Sequence, residues 1–88
     1  GVMLVIGGLG GTAFPLLSRL LDEVPFTLIL LGRAALDDVR QQRLTALQQK
    51  ADVSYRVVDA SDGPALERVI QTVVQESGAI DFLINAAG

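Results

Sequence analysis

Eighty-eight residues, half of them hydrophobic and 19% charged, supply one domain with one buried core and exclude a two-domain, disordered or fibrous chain. Seven Lys and Arg against ten Asp and Glu give a formal charge of -3, and the scattered basic residues form no tract suited to nucleic acid. With neither Cys nor His, the chain has no disulfide, thiolate nucleophile, imidazole base or ordinary zinc site, so no metal is expected.

Residues 2–6, Val-Met-Leu-Val-Ile, are a continuous apolar run of the kind that forms a strand buried on both faces. The run has no basic leader and is followed by glycines instead of a small-residue cleavage site, so a cytoplasmic protein is expected. Next come Gly7, Gly8, Leu9, Gly10, Gly11 and Thr12, and then a helical spacing of Leu16, Leu17, Leu20 and Leu21. Pro15 fits the first turn of a helix capped at Thr12 better than one begun at Gly11, because an N–H in the first turn has no intrahelical partner.

A second apolar run over 26–31 ends at Gly32, and Leu36, Val39, Leu44 and Leu47 then carry a second helical stripe. Asp37 and Asp38 in its first turn and Lys50 at its end complement the helix dipole. A third run over 53–58 ends at Asp59. The third helix is expected to start at Ser61 or Asp62, to bury Leu66, Val69, Ile70, Val73 and Val74, and to stop at Gly78. A fourth run over 80–84 ends at Asn85. No run approaches the roughly 20 apolar residues of a membrane span.

Buried-type strands alternating with helices over short connections predict an α/β fold, because parallel neighbours need a crossover. The expectation is a Rossmann-type doubly wound parallel sheet in partial form, four strands and three helices in the order βαβαβαβ. The last strand is as apolar as the inner ones and would leave a hydrophobic sheet edge, so the chain is expected to continue in a larger domain.

The glycine cluster sits where the first strand hands over to the first helix. There a turn needs positive φ, a pyrophosphate needs close backbone approach, and a helix N-terminus offers free N–H groups. At the end of the second strand, about 20 residues on, an Asp or Glu would bind the 2'-hydroxyl of an adenine ribose and select NAD. This chain has Gly32 and Arg33 there, and a guanidinium suits a 2'-phosphate, so NADP (as NADPH) is the expected cofactor. Asp59 is read as an acceptor for the adenine amino group with Ala60 leaving room for the ring, or as an ordinary turn Asp ahead of a helix. Asn85, Ala86, Ala87 and Gly88 would lie beside the central ribose at the same edge of the sheet. Tyr55, the only tyrosine, lies inside a predicted strand and is read as structural.

Four stretches taken together resemble the short-chain dehydrogenase/reductase superfamily, and within it the ketoreductase domains of modular polyketide and fatty acid synthases. Gly7-Gly8-Leu9-Gly10-Gly11 is similar to the doubled-glycine loop of ketoreductases, and Leu30-Leu31-Gly32-Arg33-Ala34 to their Leu-Leu-(Ser/Gly)-Arg-Ser. Val58-Asp59-Ala60-Ser61-Asp62 is similar to Ala-Asp-Val-Thr-Asp, and Asn85-Ala86-Ala87-Gly88 to the family's (His/Asn)-Ala-Ala-Gly or Asn-Asn-Ala-Gly loop. The resemblance covers the whole chain. Ile6 stands where the family has Thr, Ala13 where it has the last loop glycine, and Pro15 is a further departure.

The resemblance implies NADPH-dependent reduction of a β-ketoacyl group on an acyl carrier protein to β-hydroxyacyl, with residues 1–88 as the N-terminal cofactor-binding part. The partners it implies are the carrier-bound substrate and the remainder of the ketoreductase domain and synthase, and a homodimer is compatible with it. The Tyr, Lys, Ser and Asn that the family uses for catalysis match no position here, so no catalytic residue is assigned. Two alternatives stand beside this reading. One is a free-standing short-chain reductase of a small ketone or alcohol. The other is a catalytically degenerate scaffold, which Ile6, Ala13 and Pro15 would explain.

Overall fold

The computed structural model describes residues 1–86. In chain order it contains β1 (Val2–Ile6), α1 (Ala13–Glu23), β2 (Thr27–Gly32), α2 (Asp38–Gln48), β3 (Val53–Val57), α3 (Gly63–Ser77) and β4 (Phe82–Asn85). The strands form one sheet in the order β3-β2-β1-β4, parallel at every pairing. This is the Rossmann-type arrangement expected from the sequence. Strand β1 is central, with Met3 facing both Leu28 and Phe82 in the register and Ile6 facing both Leu31 and Asn85.

Residues alternate across a strand, so the apolar runs of β1 and β2 each feed two cores at once. Met3 and Val5 of β1 and Leu28 and Leu30 of β2 pack on one face with Leu17 and Leu21 of α1 and Leu44 and Leu47 of α2. Leu4, Ile6, Ile29 and Leu31 pack on the other face with Val58 and with Val73 of α3. Two helices on one side and one on the other follow from the chain's path outward from β1 to β3 and back across to β4. Right-handed crossovers in opposite directions deposit their helices on opposite faces.

The helix ends follow the sequence signals. Asp38 lies in the first turn of α2 as expected, whereas Asp37 stands one place before it as the cap, its side chain accepting from the Arg40 N–H at 2.8 Å. Asp62 accepts from Ala65 and caps α3, and Gly78 ends that helix at a φ of 85°. Pro15 is the third residue of α1, inside its first turn, as a cap at Thr12 requires; the Thr12 side chain itself makes no capping bond. Lys50, expected at the end of α2, lies two residues past it, and there it pairs with Asp22 at 2.7 Å and donates to the Ser18 hydroxyl at 2.8 Å, tying the segment after α2 to α1. No helix among the described residues is long and apolar enough to cross a membrane.

The structure corrects the extent of the apolar stripes. Leu16 is 66% exposed, Val39 55% and Val74 40%. Leu16 and Val74 lie next to the buried Leu17 and Val73 and are turned about 100° away from them, and Val39 lies in the exposed first turn of α2, all three beyond the narrow strip of helix that touches the sheet. The fourth strand also starts later than its apolar run, because Asp81 is used at the foot of β1, accepting from the Val2 N–H at 2.7 Å. Strand β4 forms an edge of the sheet and leaves Phe82, Leu83 and Ile84 exposed.

Candidate functional site

The site begins where β1 ends. Gly7 turns the chain out of the sheet at a φ of 79°, and its N–H bonds the Leu31 carbonyl at 2.8 Å. That conformation is open to glycine and strained for other L-residues. Gly8 is required for a different reason. A Cβ there would stand 2.8 Å from both Leu17 Cδ1 and Leu30 Cδ2, so its absence lets α1 settle against the sheet. Gly8→Ala is expected to cost about 1–3 kcal/mol by overpacking, read as a lower urea midpoint with an unchanged m value.

The other two glycines answer to nothing inside the fold. A Cβ on Gly10 would meet only the Gly7 carbonyl oxygen, at 3.8 Å, and one on Gly11 would meet nothing within 4 Å. Neither has a positive φ. Packing therefore accounts for Gly7 and Gly8, while Gly10 and Gly11 keep backbone bare toward open space at the N-terminus of α1. The loop is braced from behind by Arg43 of α2. Its Nη1 donates to the Leu9 carbonyl at 2.9 Å, and its guanidinium carbon lies 5.8 Å from the centre of the Phe14 ring.

Strands β1, β2 and β3 end side by side, and the segments leaving them enclose a cleft of about 560 Å³. The cleft lies at the carboxyl edge of the sheet, beside the switch point between β1 and β4, the edge where open α/β folds bind ligands. Its lining brings together Gly7, Gly8, Leu9 and Gly10 after β1, Gly32 at the end of β2 with Arg33 following it, and Asp59 and Ala60 after β3. Gly11 and Thr12 stand exposed at the entry to α1, next to that lining. Asn85 lies at the same edge of the sheet, facing Ile6 in the register, and the Ala86 N–H bonds the Ile6 carbonyl at 2.8 Å. Ala87 and Gly88 fall outside the described residues.

Arg33 is exposed at the mouth of the cleft and has no ion-pair partner among the described residues. Arg40 also lines the cleft, but it is engaged with Asp37 at 2.6 Å. Asp59 serves the turn foreseen as its alternative role. Its Oδ1 accepts from the Ser61 hydroxyl at 2.7 Å and from the Ser61 N–H at 3.0 Å. Those bonds, with a smaller contribution from the Arg33 charge, hold the Asp59 carboxyl below its ordinary pKa. The backbone bond from Arg40, with help from the Arg40 and Arg43 charges, does the same for Asp37. Both carboxylates are ionised at neutral pH.

Sequence reasoning missed Arg40 and Arg43 and read Tyr55 as structural without placing it at the cleft. Tyr55 lines the cleft, and its hydroxyl donates to the Ala34 carbonyl at 2.6 Å. Nothing local marks these residues. Arginines on a polar helix and a tyrosine in a strand are ordinary in themselves, and their partners lie 34 residues away for Arg43 and 21 for Tyr55. The three departures are accommodated. Ile6 is buried in the second core cluster, Ala13 is half-buried at the head of α1, and Pro15 lies in its first turn.

The KR domain family matches the chain over residues 1–88. Polyketide synthase PksN of Bacillus subtilis (strain 168) is 33% identical over 90 residues, an alignment that takes in all of this chain and 2% of the synthase. A crystal structure of a ketoreductase domain from the bacillaene assembly line superposes with a TM-score of 0.90 at 29% identity, covering 100% of this chain and 22% of that one. An N-terminal ketoreductase from the macrolactin assembly line gives 0.89 at 29% identity, covering 100% of this chain and 18% of that one. The chain thus spans a small part of the proteins it matches, and the part it spans is the parallel sheet, the glycine turn and the cleft described above. With a family match over every residue and solved ketoreductases that share its fold, the chain belongs to the KR domain family.

Proposed function

We propose that this chain forms the dinucleotide-binding part of an NADPH-dependent ketoreductase that reduces a β-ketoacyl group on an acyl carrier protein to β-hydroxyacyl during polyketide assembly. The observation that carries the reading is Arg33, an exposed guanidinium without an ion-pair partner among the described residues, set at the end of β2 in the same cleft as the bare glycine turn. A guanidinium there matches a 2'-phosphate in charge and in its fork of donors.

The other roles follow along the cleft. The turn formed by Gly7, Gly8, Leu9, Gly10, Gly11 and Thr12 brings the backbone N–H groups at its α1 end and the positive end of the α1 dipole to the pyrophosphate, while the Gly7 N–H is held by the Leu31 carbonyl. The open space over Gly10 and Gly11 gives that group room to approach. Asp59 offers its second carboxylate oxygen to the adenine amino group, the first being held by Ser61, and Ala60 leaves space for the ring. Asn85 and Ala86 are assigned to the ribose nearest the nicotinamide, and the resemblance assigns Ala87 and Gly88, outside the described residues, to the same role. The bound cofactor supplies the hydride, and the groups that donate the proton belong to the remainder of the domain. In this reading that remainder also covers the apolar edge at Phe82, Leu83 and Ile84, which a soluble sheet does not leave open.

The test is to supply the complete ketoreductase domain with NADPH and a β-ketoacyl thioester and to follow loss of the reduced cofactor. Consumption that depends on the thioester is the expected result. Absence of NADPH binding up to millimolar concentration would overturn the proposal and leave a scaffold in its place.

A further inference from the structure

Residues 33–36 carry Arg33 across the mouth of the cleft, between the last residue of β2 and the cap of α2. An irregular segment places a side chain only as firmly as the segment itself is held. Among the described residues this one is tied at two points. Leu36 packs against the first core cluster, and the Ala34 carbonyl accepts the hydrogen bond from the Tyr55 hydroxyl.

Tyr55 faces Leu30 in the register of β3 on β2, so its ring extends along the sheet toward the carboxyl edge to reach residue 34. Gly32 makes room for it. A Cβ at Gly32 would stand 2.8 Å from Cζ and 2.9 Å from Cε1 of Tyr55, and would collide with the hydroxyl oxygen. The missing side chain on one strand and the phenol on the next are therefore two halves of one arrangement, which ends on the residue following Arg33. The pyrophosphate-facing turn after β1 is held separately, by Gly7, Gly8 and Arg43.

We propose that Tyr55 is a positioning residue for cofactor choice, its hydroxyl latching the 33–36 segment so that Arg33 meets the 2'-phosphate. The proposal rests on the reading of Arg33 as the ligand of that phosphate. Because the latch acts on Arg33 and leaves the glycine turn alone, it contributes to the affinity for NADPH and adds nothing to that for NADH.

Tyr55→Phe keeps the ring and its packing and removes the donor. In the complete ketoreductase domain, titration of both cofactors should show the Kd for NADPH rising about three- to ten-fold, the weight of one hydrogen bond, while the Kd for NADH stays put. Gly32→Ser, which drives the ring off its seat, should shift the ratio of the two constants in the same direction. An equal rise for both cofactors would mark Tyr55 as a plain structural residue and overturn the proposal, as would no change for either.

Arg33→Ala, measured alongside, separates the two claims. If it leaves the ratio unaltered, the reading of Arg33 fails and the latch with it. If it weakens the preference for NADPH while Tyr55→Phe does not, the latch alone fails. Combining the two substitutions should add nothing to Arg33→Ala on its own, since no guanidinium is left to position.

Discussion

Replacing Arg33 by Asp in the complete ketoreductase domain is expected to raise the Kd for NADPH about 100-fold and to leave that for NADH no weaker, since an Asp there can accept from the ribose 2'-hydroxyl. Arg33 has no ion pair to lose among the described residues and is exposed, so the fold does not depend on it. A charge-assisted bond to a phosphate contributes about 1.5–3 kcal/mol, and the new carboxylate adds repulsion of the 2'-phosphate. Together these correspond to about two orders of magnitude in affinity. Arg40 does not take over, because its guanidinium is held by the Asp37 cap at 2.6 Å. Measured at two salt concentrations, NADPH binding by the native domain should weaken with added salt more than NADH binding, since only the former carries the additional phosphate charge. An unchanged preference for NADPH in the Arg33→Asp domain would remove Arg33 from the site.

Substituting Gly10 by Val should separate binding from stability. The fold opposes a Cβ at this position with nothing nearer than the Gly7 carbonyl oxygen at 3.8 Å, and Gly10 does not have a positive φ. The melting temperature of the complete domain is therefore expected to move by no more than about 2 °C. Binding is another matter, because the side chain would occupy the space through which the pyrophosphate reaches the backbone. Affinity for NADPH and NADH should fall together by about 30-fold or more, the equivalent of about 2 kcal/mol. Gly7→Val makes the contrast, since its φ of 79° would cost a branched residue about 1–2 kcal/mol of stability. If Gly10→Val bound both cofactors as tightly as the native domain, the turn would not be the pyrophosphate site.

Gly10 and Gly11 also show where a glycine motif can be read from sequence and where it cannot. The spacing after the first strand announces a tight turn with close backbone approach. It does not say which glycine serves the turn, which serves helix packing and which serves a ligand. Only the neighbours of each Cα separate them: Leu17 and Leu30 at Gly8, open space at Gly11. Asp59 is a similar case. Its place at the end of β3 was legible, whereas the capture of one oxygen by Ser61 depends on how the turn closes.

What the sequence determined by itself is local and periodic. Apolar runs, those of β1 and β2 continuous enough to feed both faces of a sheet, dictated parallel strands, and helical spacing between them dictated crossovers. Asp37, Asp62 and Gly78 set helix ends through bonds reaching no more than a turn away. The glycine turn and Arg33 could be placed because both stand at strand ends, and in such a fold strand ends share one edge.

The tertiary structure alone decided which residues meet. It put β4 beside β1 at an edge, which left Phe82, Leu83 and Ile84 exposed although their composition matches that of the buried strands. It turned Leu16, Val39 and Val74 outward, because a helix lying on a sheet buries only the strip facing it. It brought Arg43 to the carbonyl of Leu9 and Tyr55 to that of Ala34. Contacts across that much chain arise from the order and register of the strands, which no short stretch of sequence encodes.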